Sequence, residues 1–203
     1  DSPKAGPPSP RVSLILRQNI DSLQYLEARR EALTALPSQP FIPRSIRQGM
    51  MLKPHQLHGL GWLQHLYGLR TDYQVRGAIL ADDMGLGKTF QLLALMASLI
   101  EQDPAVDPML VVAPVSLLEN WADEAAKFFE SGTLPILMAY GDGLRGLRVP
   151  REQIDMRLRT EDGLVRFLKP GWVGDARIVL TTYETLRDLE FSFAAQKWSV
   201  MVC

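Results

Sequence analysis

Cysteine is almost missing from this chain. The one thiol, Cys203, has no partner for an internal disulfide, so nothing in the sequence requires an oxidising compartment. Long apolar runs are missing too, since no stretch reaches the ~18 residues that a helix needs to cross a bilayer. The opening Asp1-Ser2-Pro3-Lys4 has no initiator methionine and is unlike a secretory signal. The expectation is an intracellular protein of which this chain is a cut piece. Net charge is also lacking: a balance of −1 gives no global attraction to a polyanion. Any such surface has to come from local segregation. Residues 1–56 show some, with eight Lys/Arg (Lys4, Arg11, Arg17, Arg29, Arg30, Arg44, Arg47, Lys53) against four acids (Asp1, Asp21, Glu27, Glu31). Charge runs of this size are more often solvated faces than binding sites.

What is present is an ordinary globular composition, 46% hydrophobic and 22% charged, in 203 residues. That suffices for one sizeable domain, or one domain plus an extension. No internal repeat occurs. Four prolines in residues 1–10 mark a flexible leader. Val12–Leu16 suits a short strand. Asp21 is placed to cap a helix running to about Leu36, with Ile20, Leu23, Leu26 and Leu33 on one buried face. Pro37, Pro40 and Pro43 then break the pattern, so residues 1–47 are expected to form an N-terminal extension and residues 48–203 a separate domain.

From residue 48 strands and helices alternate. His55–Tyr67 has helical periodicity. Gly77–Ala81 (GAILA) is expected to be a buried strand, and Lys88–Glu101 a helix apolar nearly all round. Met109–Ala113 is a second strand, and Ser116-Leu-Leu-Glu119 has the spacing of a capping box opening a helix to Phe129. Pro135–Tyr140, Arg177–Thr181 and Trp198–Val202 are further strands, with a helical insertion expected over 141–173. Apolar strands alternating with helices predict an α/β fold, a three-layer α/β/α sandwich around a mostly parallel sheet.

Chemistry concentrates in Asp82-Asp83-Met84-Gly85-Leu86-Gly87-Lys88-Thr89, between an expected strand and an expected helix. That is the context of a phosphate-binding loop. Glycines let backbone N–H groups approach phosphate, and a helix start adds its positive dipole end. Lys88 can reach β/γ-phosphate oxygens and the Thr89 hydroxyl can ligate Mg²⁺. Asp82 stands where the general G-x-x-x-x-G-K-T pattern has its first glycine.

This loop closely resembles the Asp-Glu-Met-Gly-Leu-Gly-Lys-Thr loop of the SWI/SNF-type DNA-dependent ATPases, a branch of the superfamily 2 helicase-like motors. The resemblance extends over most of residues 50–202. Leu52–Leu63 (LKPHQLHGLGWL) is similar to the family's first motif, which implies that Gln56 reads the adenine edge. Leu110–Trp121 (LVVAPVSLLENW) is similar to a motif contacting the DNA backbone, implying Pro114 and Ser116 there. Packing suits Trp121 better than DNA contact, and for Ser116 a helix cap competes with a phosphate contact. Thr181-Thr182-Tyr183-Glu184 resembles a further DNA-tracking motif, implying contacts from Thr181, Thr182 and Tyr183. Three motifs would then meet at the carboxyl edge of the sheet, where open parallel sheets bind ligands.

The resemblance implies a RecA-like first motor lobe that uses ATP/ADP and Mg²⁺. It implies a parent that translocates on double-stranded DNA with a second RecA-like lobe, cytoplasmic and nucleoid-associated if bacterial, nuclear if eukaryotic. The family's acidic Mg²⁺/water box should begin where Trp198–Cys203 ends. This piece is therefore expected to bind nucleotide without hydrolysing it. Two other readings stand beside this one: another P-loop NTPase or kinase, and a nucleotide-gated docking module without motor activity. His55 and His58 share a helical face without a third metal ligand. Arg145, Arg148, Arg151, Arg157 and Arg159 outnumber Glu152 and Asp155, but a solvated insertion suits them better than a DNA groove.

Overall fold

Four short strands, β1 (Met109–Val112), β2 (Ile136–Met138), β3 (Ile178–Thr181) and β4 (Val200–Val202), form one sheet in the order β2-β3-β1-β4. Every neighbouring pair is parallel, with Val112 level with Thr181 and Met109 level with both Ile178 and Val200. This is a computed structural model, and it describes residues 13–35, 39–150, 153 and 167–203. The proline leader, Val12, Leu36, Pro37, and Arg151, Glu152, Asp155, Arg157 and Arg159 lie outside the described residues.

β1 and β3 are apolar without alternation, and all their residues are buried. Both faces are therefore covered, as a parallel sheet requires. On one face Leu110, Val112, Val179 and Ala139 pack with Leu144, Leu168, Val173, Leu189 and Phe193. The Trp172, Phe193 and Trp198 rings close that layer, with centroids 5.0–6.1 Å apart. Met109, Val111, Ile178 and Leu180 alternate to the opposite face and are equally buried. Helices α3 (Lys88–Gln102) and α4 (Val115–Phe128) pack together, with Phe90 stacked on Phe128 at 4.3 Å. The architecture is the expected α/β fold with helices flanking a parallel sheet.

The chain divides into two compact units, one of residues 1–39 and 61–79, the other of residues 40–60 and 80–203. In the first, α1 spans Ser13–Thr34, so residues 13–16 are helical and not the expected strand. Local pattern misleads there because a short apolar run fits either state. Leu26, expected in a buried face, is 52% exposed. The His65 ring bonds the Ala32 carbonyl at 2.7 Å within this unit. The expected strand Gly77–Ala81 is also absent: it joins no ladder, and Ile79 is 86% exposed. An apolar run becomes a strand only when another strand takes its N–H and C=O groups, and none of the described strands does so.

In the second unit, residues 44–47 are sewn onto the body. Arg44 and Ser45 donate their N–H groups to Glu101, Arg47 donates to the Phe128 carbonyl, and Ile46 bridges Phe129 antiparallel. The insertion holds no α-helix among its described residues. It has a 3-10 turn at Gly141–Leu144 and an antiparallel bridge between Arg148 and Leu168. Gly143 is obligatory there, since a Cβ would overlap the Met138 carbonyl. No helix among the described residues is long and apolar enough to cross a membrane.

Candidate nucleotide site and sheet rim

Helix α2 (Pro54–Gly68) starts in a way that shapes the site. Pro54 occupies the first helical position, where its fixed φ and missing N–H are harmless. Gln56, two residues further, turns its Oε1 back to accept from the Lys53 N–H at 2.9 Å, which is half of a capping box. The other end of the same amide, Nε2, donates to the Leu86 carbonyl at 3.0 Å. His55 reaches that carbonyl too, at 3.2 Å. The start of α2 is thereby tied to the glycine loop.

The loop residues Asp82–Gly87 precede α3, whose N-cap is Gly87. Gly85 and Gly87 have φ of 85° and 77°, the left-handed region that favours glycine. At Gly87 the need is double, because a Cβ would also overlap Gln56 Nε2. Lys88 Nζ lies over the loop, donating to the carbonyls of Asp82 at 2.7 Å and Asp83 at 3.0 Å. Met84 is 96% exposed, and Thr89 follows half-buried in the first turn of α3. The structure thus gathers Gln56 and Asp82 to Thr89 at one place. It offers an ammonium, a loop built on left-handed glycines and a helix N-terminus, the chemistry that receives phosphate.

The fit to Mg²⁺ is partial. Among the described residues no group of three His, Cys, Asp or Glu side chains is placed to hold a metal. Thr89 offers a single hydroxyl. Mg²⁺ retains waters and takes phosphate oxygens readily, so these residues suit a cation carried in on a nucleotide.

At the carboxyl ends of β1 and β3 the other expected contacts are neighbours, through the pairing of Val112 with Thr181. Their roles differ. Helix α4 has Pro114 as N-cap with no side-chain cap, so the expected capping box at Ser116 is not formed. The helix starts two residues earlier, leaving Ser116 exposed in its first turn. Pro114 and Tyr183 are exposed as well, and Trp121 is buried. Thr181 is fully buried and its hydroxyl donates to the Ala139 carbonyl at 2.9 Å. Thr182 is the N-cap of α5 (Tyr183–Asp188), its hydroxyl accepting from the Thr185 N–H at 3.1 Å. Both hydroxyls therefore serve the rim's own structure.

Three residues were not singled out from sequence. Tyr140 follows β2 at the same rim. Burial, then the Glu119 carboxylate, pushes its hydroxyl pKa up, so it stays a donor. Gln91, fully buried in α3, donates Nε2 to Asp82 Oδ2 at 3.0 Å. A Cβ on Gly59 would overlap Gln91 Oε1. The available signal for Gln91 was a polar residue inside a helix apolar nearly all round.

Residues 55–203 match the SNF2-related domain family. The chain belongs to that family, a class of ATPase motor domains. The chain is 46% identical to Zorya protein ZorD of Escherichia coli O139:H28 over 194 residues, covering 95% of this chain and 18% of ZorD. It is 38% identical to the chromatin-remodeling ATPase INO80 of Arabidopsis thaliana over 154 residues, covering 74% of this chain and 9% of that protein. Among solved structures it is similar to the Sulfolobus solfataricus SWI2/SNF2 ATPase core in complex with dsDNA, with a TM-score of 0.54 and 29% identity. That match covers 81% of this chain and 27% of the other. The chain thus spans less than a fifth of the length of these two relatives.

Proposed function

We propose that residues 48–203 are the ATP-binding part of a SNF2-type motor lobe, with residues 1–47 as an extension, in a protein that couples ATP hydrolysis to movement along double-stranded DNA. The observation that carries this reading is the loop itself. Lys88, resting on two loop carbonyls beside left-handed glycines, is poised to exchange those carbonyls for phosphate oxygens.

On this reading each residue has a role. Asp82–Thr89 cradle the phosphates, and Thr89 would hold the Mg²⁺ that arrives with ATP or ADP. Gln56 has used one lone pair and one N–H of its amide on Lys53 and Leu86. One of each is left, the donor–acceptor pair that an adenine edge takes. At the rim, Pro114, Ser116 and Tyr183 would face the DNA backbone through exposed groups and helix-start N–H donors. Thr181 and Thr182 act there by fixing the strand end and the α5 cap. The carboxyl end of β4 opens on the same rim, where the family's acidic box belongs. A second RecA-like lobe would complete the site.

Residues 1–203 alone are accordingly expected to bind nucleotide and not to turn it over. The second lobe would supply arginine fingers, and one by itself is worth ~10³–10⁵ in rate. The test is phosphate release by the purified piece and by the full-length protein, with and without duplex DNA, and with Lys88→Ala as control. Turnover stimulated by DNA in the full-length protein, absent from the piece and lost in Lys88→Ala, is the expected result. DNA-stimulated turnover by residues 1–203 that Lys88→Ala abolishes would overturn the assignment of catalytic acids to the region after β4. A full-length ATPase indifferent to DNA would favour another P-loop enzyme or a docking module.

A further inference from the structure

Gln91 is a fully buried amide in an otherwise apolar stretch of α3. A buried amide is costly unless bonded, and only one end of this one is. Nε2 donates to Asp82 Oδ2, whereas Oε1 has no hydrogen-bond partner among the described residues. The orientation is dictated by chemistry, because a carboxylate oxygen accepts and only the NH₂ end can donate. The unbonded end faces α2 at Gly59, the one side-chain size that leaves room for it. Asp82, at the position of the missing first glycine, is therefore gripped twice: its carboxylate by Gln91 and its carbonyl by Lys88. When Lys88 turns to a phosphate, the second grip is released. Gln91 then holds the start of the loop.

We propose that Gln91 is a positioning residue for the phosphate loop: seated against Gly59, it fixes Asp82 so that the loop keeps its receptive shape once Lys88 leaves the Asp82 carbonyl. This rests on the reading of Asp82–Thr89 as the nucleotide site, and the experiment separates the two. ADP affinity is measured by calorimetry with Mg²⁺ on the full-length protein, alongside a thermal melt. The variants are Gln91→Glu, Asp82→Asn, the two combined, Gly59→Ala and Lys88→Ala.

Gln91→Glu sets two carboxylates against each other and should weaken ADP about tenfold or more. The combined variant exchanges donor and acceptor, with the amide now at position 82, and should return affinity to within about threefold of wild type. A purely space-filling role would give no such rescue. Gly59→Ala, which displaces Gln91 without altering the loop, should weaken binding like Gln91→Glu. The proposal is overturned if Lys88→Ala loses ADP while Gln91→Glu binds as wild type, or if the combined variant is no better than Gln91→Glu. Should Gln91→Glu fail to fold, Gly59→Ala decides, and unchanged affinity there overturns the proposal. If Lys88→Ala itself binds ADP as wild type, the nucleotide site is wrongly placed and the role of Gln91 falls with it.

Discussion

Substituting Gly87 by alanine tests backbone and side-chain constraints at once. Gly87 sits at φ 77°, ψ 43°, a left-handed conformation costing an L residue about 1–2 kcal/mol. Its new methyl would also overlap Gln56 Nε2, so the amide has to swing off the Leu86 carbonyl that it holds at 3.0 Å. A hydrogen bond of that kind contributes about 0.5–1.5 kcal/mol. The two effects together come to about 1.5–3.5 kcal/mol, or roughly ten- to 400-fold in the affinity of a nucleotide that needs the loop in this shape. Gly85→Ala is the matched comparison. Its φ is 85°, yet nothing lies within 4 Å of where its Cβ would be. It should bear the backbone cost alone, roughly five- to thirtyfold. Calorimetric ADP titrations of both variants, repeated with Gln56→Ala, form a double-mutant cycle. Removing Gln56 frees the space, so Gly87→Ala and Gln56→Ala should fall short of additivity by about 1 kcal/mol, while Gly85→Ala and Gln56→Ala add. Strict additivity at Gly87, or equal losses for the two glycines, would refute the contact between the start of α2 and the loop.

Other outcomes follow from the same structure. Lys88→Ala removes a charge-assisted hydrogen bond to phosphate worth about 1.5–3 kcal/mol, so ADP should bind roughly ten- to 150-fold more weakly by calorimetry, and equal affinity would contradict the loop's assignment. Binding of duplex DNA to residues 1–203 should be weak, indifferent to sequence and steeply weakened by salt in an anisotropy titration; sequence-selective binding that survives high salt would favour a docking module. Partial burial opposes ionisation of Glu101, but the Arg44 and Ser45 N–H groups and the Arg44 charge hold its carboxyl below the usual range. A depressed carboxylate stabilises the fold above its unfolded pKa and loses that contribution as pH falls through the folded value. Thermal melts should therefore show wild type losing its advantage over Glu101→Gln as pH drops below about 4.5, and a gap unchanged across that range would refute the clamp on residues 44–45.

Sequence alone determined the class of this protein and marked the loop proposed to carry its chemistry. The glycine loop was legible because phosphate chemistry demands particular residues at particular spacing, Gly85, Gly87, Lys88 and Thr89, whatever the surroundings. The buried strands β1 and β3 were legible for a related reason: residues packed on both faces are apolar without a break. Tertiary structure decided what depends on partners. Gly77–Ala81 reads as a strand, yet strand pairing is a property of two segments, and none of the described strands supplies the second. Ser116 reads as a cap, but the start of α4 was set by the turn at Pro114. Thr181 reads as a contact residue, while its hydroxyl is spent on Ala139, a carbonyl 42 residues away in sequence. Gln56 and Gln91 show the same division: the first was marked only by resemblance and the second by no motif, and only folding sets Gln56 against Gly87 and Gln91 against Gly59. A glutamine and the glycine that makes room for it lie some thirty residues apart, so no local pattern could pair them; side-chain volume and hydrogen-bond geometry did.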